Sequence, residues 1–318
     1  MAAGAGSGQP EESGQPLWRH FLMAGLIAAL LLPVLFFPPF HLIEARLYDI
    51  MSVIAPPPPP NAAVVVAIDE PSLSEIRHRW PWPRELHGRL VERLRAAGAR
   101  VIALDIILAE PSTDDSDKAL AQALGPDVVL AADVVTTRMD QGVQTTRVDP
   151  LDSFLEAGAV SGVASVQHDG DAYLRLMPTL PDGFAAQALR LRGEPVPPPP
   201  EGALIQYFGP PRSYPTVSYY QALDPEAFLP PGRFKDQVVL VGLSLQTAPT
   251  IDAGGADTFA TPYTLTTGTL TSGVEVQATI FDNLRQRLYV VPVSRPAMVG
   301  LVIAAALLAA ALSIRGVT

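Results

Sequence analysis

Asp69 closes a run of β-branched residues, Asp105 lies inside a second such run, and the following loop adds Glu110, Asp114, Asp115 and Asp117. On parallel strands of one sheet both aspartates would approach the carboxyl edge, where open α/β folds bind ligands. An all-oxygen group of this kind could hold Mg²⁺ or Ca²⁺ and serve metal-dependent hydrolysis. The plainer alternative is that Asp69 and Asp105 cap turns or pair with Arg84 or Arg100 while the loop acids face water. The absence of a spaced D-x-D-x-D loop favours this alternative, and neither a metal nor a cofactor is expected.

A second group is Arg79-Trp80-Pro81-Trp82-Pro83-Arg84, which sets two tryptophans around a proline immediately before a helical pattern. Rigid aromatics at a helix N-terminus can wall a pocket in which Arg84 and His87 meet an anionic ligand. The same residues could equally form a hydrophobic lid that fixes how the chain enters the helix. Catalytic signatures fail. Gly242-Leu243-Ser244-Leu245-Gln246 begins like a nucleophile elbow, but Gln246 stands in place of the second glycine. There is no phosphate-binding G-x-x-x-x-G-K-[ST] loop, and the five histidines never approach H-E-x-x-H spacing. With no cysteine there is no thiolate nucleophile, disulfide framework or cysteine-based metal site.

The hydrophobic pattern marks out the elements that must hold these residues. Residues 63–68, 101–108 and 128–135 are apolar runs without polar alternation, as strands buried on both faces require. Between them, residues 84–97 carry Leu86, Leu90, Val91 and Leu94 on one helical face, begun by Pro83 and closed by Gly98, and residues 116–124 read as a second helix. Strand, helix, strand, helix, strand implies right-handed crossovers and a parallel sheet. Further on, short strands are expected at 145–148, 162–167, 174–177 and 204–208 and a helix at 184–191, with the proline run 195–200 as a surface loop. A buried strand at 237–243 and an amphipathic helix at 274–284 complete the domain. Val290, Val291, Pro292 and Val293 then restrict the backbone, a stiff link through which that last helix is expected to move the segment after it.

Two apolar stretches, residues 17–37 and 297–314, bracket almost the whole chain, and each approaches the ~20 residues needed to cross a hydrocarbon core as a helix. Both read as transmembrane helices, the first an uncleaved anchor with a kink at Pro33. Trp18, Arg19 and His20 at the start of the first and Arg315 after the second place both chain ends in the cytoplasm, although Arg285, Arg287 and Arg295 flank the second span on its other side. The expected organisation is a disordered cytoplasmic tail at 1–16, a span at 17–37, a periplasmic domain at 41–290 opening with a stalk and a polyproline spacer at 56–60, and a span at 297–314. The formal charge of −10 argues against a nucleic-acid partner. Lysine appears only at Lys118 and Lys235 while arginine, alanine and proline abound, as in a GC-rich bacterial genome.

Several of these blocks, in order, resemble the class-two CHASE domain, a cyclase/histidine-kinase-associated sensory extracellular domain. They are Asp69-Glu70-x-Ser72, Arg79-Trp80-Pro81-Trp82-Pro83-Arg84-x-x-His87, the Ala97-Gly98-Ala99 to Asp105 strand, Val239-x-Val241-Gly242, Asp257-x-Phe259-x-Thr261-Pro262 and Gly273-Val274-Glu275. The resemblance runs from about Leu42 to Leu284. It implies a periplasmic sensor placed after one membrane helix and followed by further helices and a cytoplasmic output domain such as a nucleotide cyclase, a kinase or a diguanylate cyclase. The family's ligand is generally not assigned. Gln277 stands where the family often has a histidine, so no role of that imidazole carries over. With four residues after Ile314, a truncated sensor half or a degenerate paralogue is expected.

The resulting expectation is an inner-membrane protein, not itself an enzyme, whose periplasmic α/β domain has a largely parallel sheet with flanking helices and passes a signal through the second span. Its ligand-binding candidates are Asp69, Trp80, Trp82, Arg84, His87, Asp105, Glu110, Ser244, Asp257, Thr261 and Glu275. Its expected partners are the lipid bilayer, an extracytoplasmic signal of unknown chemistry and a second copy of the chain. An envelope scaffold without a ligand is the alternative, and a hydrolase using Asp69 and Asp105 the remote one.

Overall fold

The computed structural model describes residues 17–33, 39–58, 62–139, 141–246 and 257–315. The tail at 1–16, part of the expected first span and the end of the polyproline spacer lie outside the described residues. The chain divides into two compact units, Met1–Leu47 with Val293–Thr318, and Tyr48–Pro292. It begins with α1 (Leu17–Leu31) and α2 (Pro39–Ile54), whose last residues belong to the second unit.

The second unit continues with β1 (Ala63–Ile68), α3 (Glu70–Glu75), α4 (Arg84–Ala96), β2 (Val101–Ile107), α5 (Asp114–Ala123), β3 (Val128–Met139), β4 (Gly142–Val148), α6 (Asp152–Glu156) and β5 (Val160–Val163). Then follow α7 (Phe184–Leu191), β6 (Thr216–Ser218), α8 (Tyr219–Leu223), α9 (Pro225–Phe228), β7 (Val238–Leu243), β8 (Thr258–Phe259), α10 (Thr264–Thr267), β9 (Thr271–Ser272) and α11 (Gly273–Gln286). The main sheet has the order β4-β3-β2-β7-β1-β6, with β5 also on β3. Every pairing in it is parallel except the β3–β4 hairpin. This is the largely parallel α/β sheet that the continuous apolar runs predict.

Alternate residues of the same strands feed two separate cores. Ala63, Val65, Val101, Ala103, Val238 and Leu240 pack with α7 and α11, while Val64, Val66, Ile102, Leu104, Val239 and Val241 pack with α4, α5 and α8. Burial on both faces explains why no polar residue alternates in these runs. The first face carries more alanine at the sheet, and α11 lies directly upon it. Every residue of α11 from Gly273 to Leu284 is buried, so the amphipathic helix expected at 274–284 is instead enclosed on all sides.

Residues 174–177 and 204–208 do not form strands. They contribute isolated bridges, Leu176 to Leu204 and Leu204 to Val290. The expected strand at 162–167 is displaced to β5, and β6 and α3 were not anticipated.

The last described element is α12 (Arg295–Arg315). Within the first unit, Ala24 and Ala28 of α1 pack with Ala306 and Ala310 of α12, small side chains that let two helices approach closely. Among the described residues one helical stretch, Arg295–Leu312, is long and apolar enough to cross a membrane, and the apolar stretch Trp18–Leu30 is shorter than a span.

Candidate functional site

A cavity of about 770 Å³ opens at the carboxyl edge of the parallel sheet. Its floor is the ends of the central strands: Ile68 of β1, Asp105 to Ile107 of β2, Ala132 to Val134 of β3 and Leu243 of β7. Trp80 and Pro81 stand on one side, Asp257 and Phe259 on another, and Gly273, Val276 and Gln277 bring in the first turns of α11. Parallel strands all point their carboxyl ends the same way, which is why one edge collects these residues.

Three carboxylates line the cavity, from Asp105, Asp133 and Asp257, and no lysine, arginine or histidine does so among the described residues. Asp133 is held in place, its Oδ1 accepting from the Ser165 hydroxyl at 2.5 Å and the Val134 N–H at 2.8 Å. Burial pushes the Asp105 carboxyl well above the usual carboxylate range, and the neighbouring Asp257 adds to the shift. Much of Asp257 is exposed, yet its carboxyl lies against the backbone of Gly273, and burial raises it from 3.8 to about 7. Two acids are thus crowded at one point where, among the described residues, no cation lines the cavity to offset their charge.

Two glycines make this crowding possible. A Cβ on Gly273 would lie 2.0 Å from Asp257 Oδ1, and one on Gly242 would lie 2.8 Å from Val274 Cβ and 3.2 Å from Asp105 Cβ. Gly242 is paired with Asp105 in the sheet register. The Val-Gly of β7 and the Gly-Val of α11 therefore serve one purpose, seating α11 against the sheet beside the acidic pair.

The structure gathers only part of the residues that the sequence singles out. Trp80, Asp105 and Asp257 line the cavity. Asp69 does not: it caps α3, accepting from the Ser72 N–H at 3.0 Å, the Ser72 hydroxyl at 2.6 Å and the Ser218 hydroxyl at 2.6 Å. These bonds are those of a helix cap, the plainer of the two roles expected of it, and Asp69 does not line the cavity with Asp105. Among the described residues no group of three or more potential metal ligands forms.

Trp82 is buried behind Trp80, with its ring centroid 4.7 Å from that of Tyr219. His87 is buried beside them, its Nδ1 2.8 Å from the Tyr219 hydroxyl, and burial, helped by Arg84, pushes it down to about 4. A neutral imidazole facing a phenol is no anion receptor. Arg84 bonds Asp117 at 2.5 Å and the Glu110 carbonyl, tying α4 to α5 and to the loop before it. The tryptophan block is thus a packed wall of which only Trp80 and Pro81 reach the cavity.

Ser244, Thr261 and Glu275 are buried structural ties. The Ser244 carbonyl accepts from Arg212 Nη2 at 2.9 Å, and the Thr261 and Thr271 hydroxyls lie 3.2 Å apart. Glu275 accepts the Arg212 and Ser213 N–H groups at 2.8 and 2.9 Å, although burial still raises its carboxyl. Asp133, Ser165 and Gln277 were missed as cavity residues. Gln277 donates from Nε2 to the Ala164 carbonyl at 2.7 Å.

A family model described as the CHASE2 domain matches residues 26–312. Comparison with curated proteins gives no match, and comparison with solved structures gives none.

Proposed function

The chain belongs to the CHASE2 domain family, a family of sensory extracellular domains of signalling proteins, and from this premise we propose that it is the signal-input part of a membrane receptor. The match over residues 26–312 carries the reading. In it, the unit Tyr48–Pro292 stands outside the cytoplasmic membrane of a bacterium, α12 spans the bilayer, the apolar chain around α1 forms the first anchor, and an output enzyme such as a cyclase or kinase responds inside. The chain itself is a sensor and not a catalyst. Labelling tests the placement on the cysteine-free background. Cysteine put in place of exposed Gln144 on β4 should react with an impermeant thiol reagent on intact spheroplasts, and cysteine at Ser7 should not. The reverse pattern would overturn the orientation.

The signal is read at the cavity, and the reading extends to its charge. Three carboxylates and no basic side chain among the described lining residues favour a small cation, with Trp80 and Phe259 able to face it through their rings. Without a ligand, the contribution of Asp257 to stability falls as pH rises from about 4 to about 7, because the folded chain retains a proton there that the unfolded chain has released, while the buried neutral His87 acts in the opposite direction. A bound cation offsets that loss. Choline, ethanolamine or Mg²⁺ should therefore raise the melting temperature of the purified full chain at pH 8 more than at pH 5, and Asp257→Asn should abolish the difference. A shift with acetate or phosphate alone, or none with any cation, would exclude a cationic signal.

A further inference from the structure

The signal must leave the domain through chain that enters or departs from it, and one short segment touches both. Leu204, Ile205 and Gln206 are consecutive, belong to no regular strand, and each bonds a different part of the unit. Leu204 exchanges two backbone hydrogen bonds with Val290 in the departing linker, at 2.8 and 2.9 Å. The Ile205 carbonyl accepts from the Tyr48 hydroxyl of α2, and its N–H donates to the Arg175 carbonyl at 2.7 Å. Gln206 is held by α11: its N–H donates to Asn283 Oδ1 at 2.7 Å, and its carbonyl accepts from Asn283 Nδ2 at 2.8 Å.

The Asn283 amide treats Gln206 as a neighbouring strand would, giving one donor and one acceptor to the same residue. Its Nδ2 also donates to the Thr279 carbonyl one turn back at 2.8 Å, and the side chain is fully buried. The amide therefore cannot swing free, and the segment follows the C-terminal half of α11. On the other side, the end of α2 is fastened twice more. Arg175 forks onto Asp49 at 2.7 and 2.8 Å, with both residues only 1% exposed, and the Tyr263 hydroxyl donates to the Ser52 carbonyl at 3.0 Å.

We propose that Leu204–Gln206 is a coupling element that binds the helix entering the sensor to the linker leaving it, with Asn283 as the residue that sets its position from α11. The first turn of α11 lines the cavity and Asn283 lies on its last turns, so one buried helix connects the place where a signal binds to the place where both chain connections meet. The linker of the sequence reading is accordingly shorter than 290–293: Val290 is part of the domain, and the free connection starts after it. Signal output then requires both connections to move together and not the second alone.

This inference takes its purpose from the sensor reading, but it is tested without a ligand, so the two can fail separately. Hydrogen exchange of the full chain in detergent, resolved by peptide, reports local opening. Asn283→Ala should raise exchange at residues 49–54 and at 288–291 alike, by a factor on the order of ten, the scale of one or two lost buried hydrogen bonds. Amides of β1 and β7 should be unaffected. A rise at 288–291 alone, or at neither segment, would overturn the coupling. If β1 and β7 also open in that variant, Tyr48→Phe decides, since it removes one hydroxyl from α2 and nothing from the linker. Faster exchange at Val290 in Tyr48→Phe is the expected result, and an unchanged Val290 would refute the proposal.

Discussion

Replacing Arg175 with methionine is expected to cost about 3–5 kcal/mol of stability, the range found when one member of a buried ion pair is removed. Its guanidinium sits 4.6 Å from the centre of the Tyr173 ring and meets three carboxylates, Asp49 at 2.7 Å and Asp169 and Asp171 at 2.8 Å. Without the cation Asp49 is left as a buried charge beside two partly exposed acids. Asp49→Asn alone should cost less, because Arg175 keeps Asp169 and Asp171. The double variant should therefore be less damaging than the sum of the two single ones. Denaturant unfolding of the four proteins measures this directly, and additive losses would mean that the fork to Asp49 contributes nothing of its own.

Gly242→Ala is the second large effect, about 1–3 kcal/mol from overpacking. The added methyl would meet the side chain of Val274 at 2.8 Å and Asp105 Cβ at 3.2 Å, so either α11 lifts from the sheet or the acidic pair is displaced. Because the obstruction is mostly Val274, combining Gly242→Ala with Val274→Ala should recover part of the loss. Unfolding midpoints of the single and double variants give the answer. A Gly242→Ala protein as stable as the original would show that the seat of α11 is looser than its contacts imply.

Neither residue was equally legible in the sequence. Gly242 stands at the end of an apolar run, where a strand was expected and where β7 lies. Its purpose depends on Val274, which arrives in space only after the chain has returned from the sheet edge. Arg175 could not have been singled out, since 126 positions separate it from Asp49 and no local pattern announces the pair. The central strands were readable because burial on both faces removes polar residues altogether. Residues 174–177 and 204–208 are short and interrupted by Arg175 and Gln206, they serve as single crossings between elements, and so short a run does not reveal which use it will have. Asp105 and Asp257 were found as candidates, whereas Asp69 proved to be a helix cap. An acidic residue after a strand suits either role until its hydrogen-bond donors are known.

The paired tryptophans have an optical consequence. Trp80 and Trp82 are the only indoles in the unit Tyr48–Pro292, their ring centres lie 5.3 Å apart and their planes cross at 83°. One ring is enclosed and the other borders the cavity. The emission colour of this unit therefore combines a fixed contribution with one set by the polarity at the cavity wall, so a change in what that wall faces is written into its native fluorescence without any attached dye.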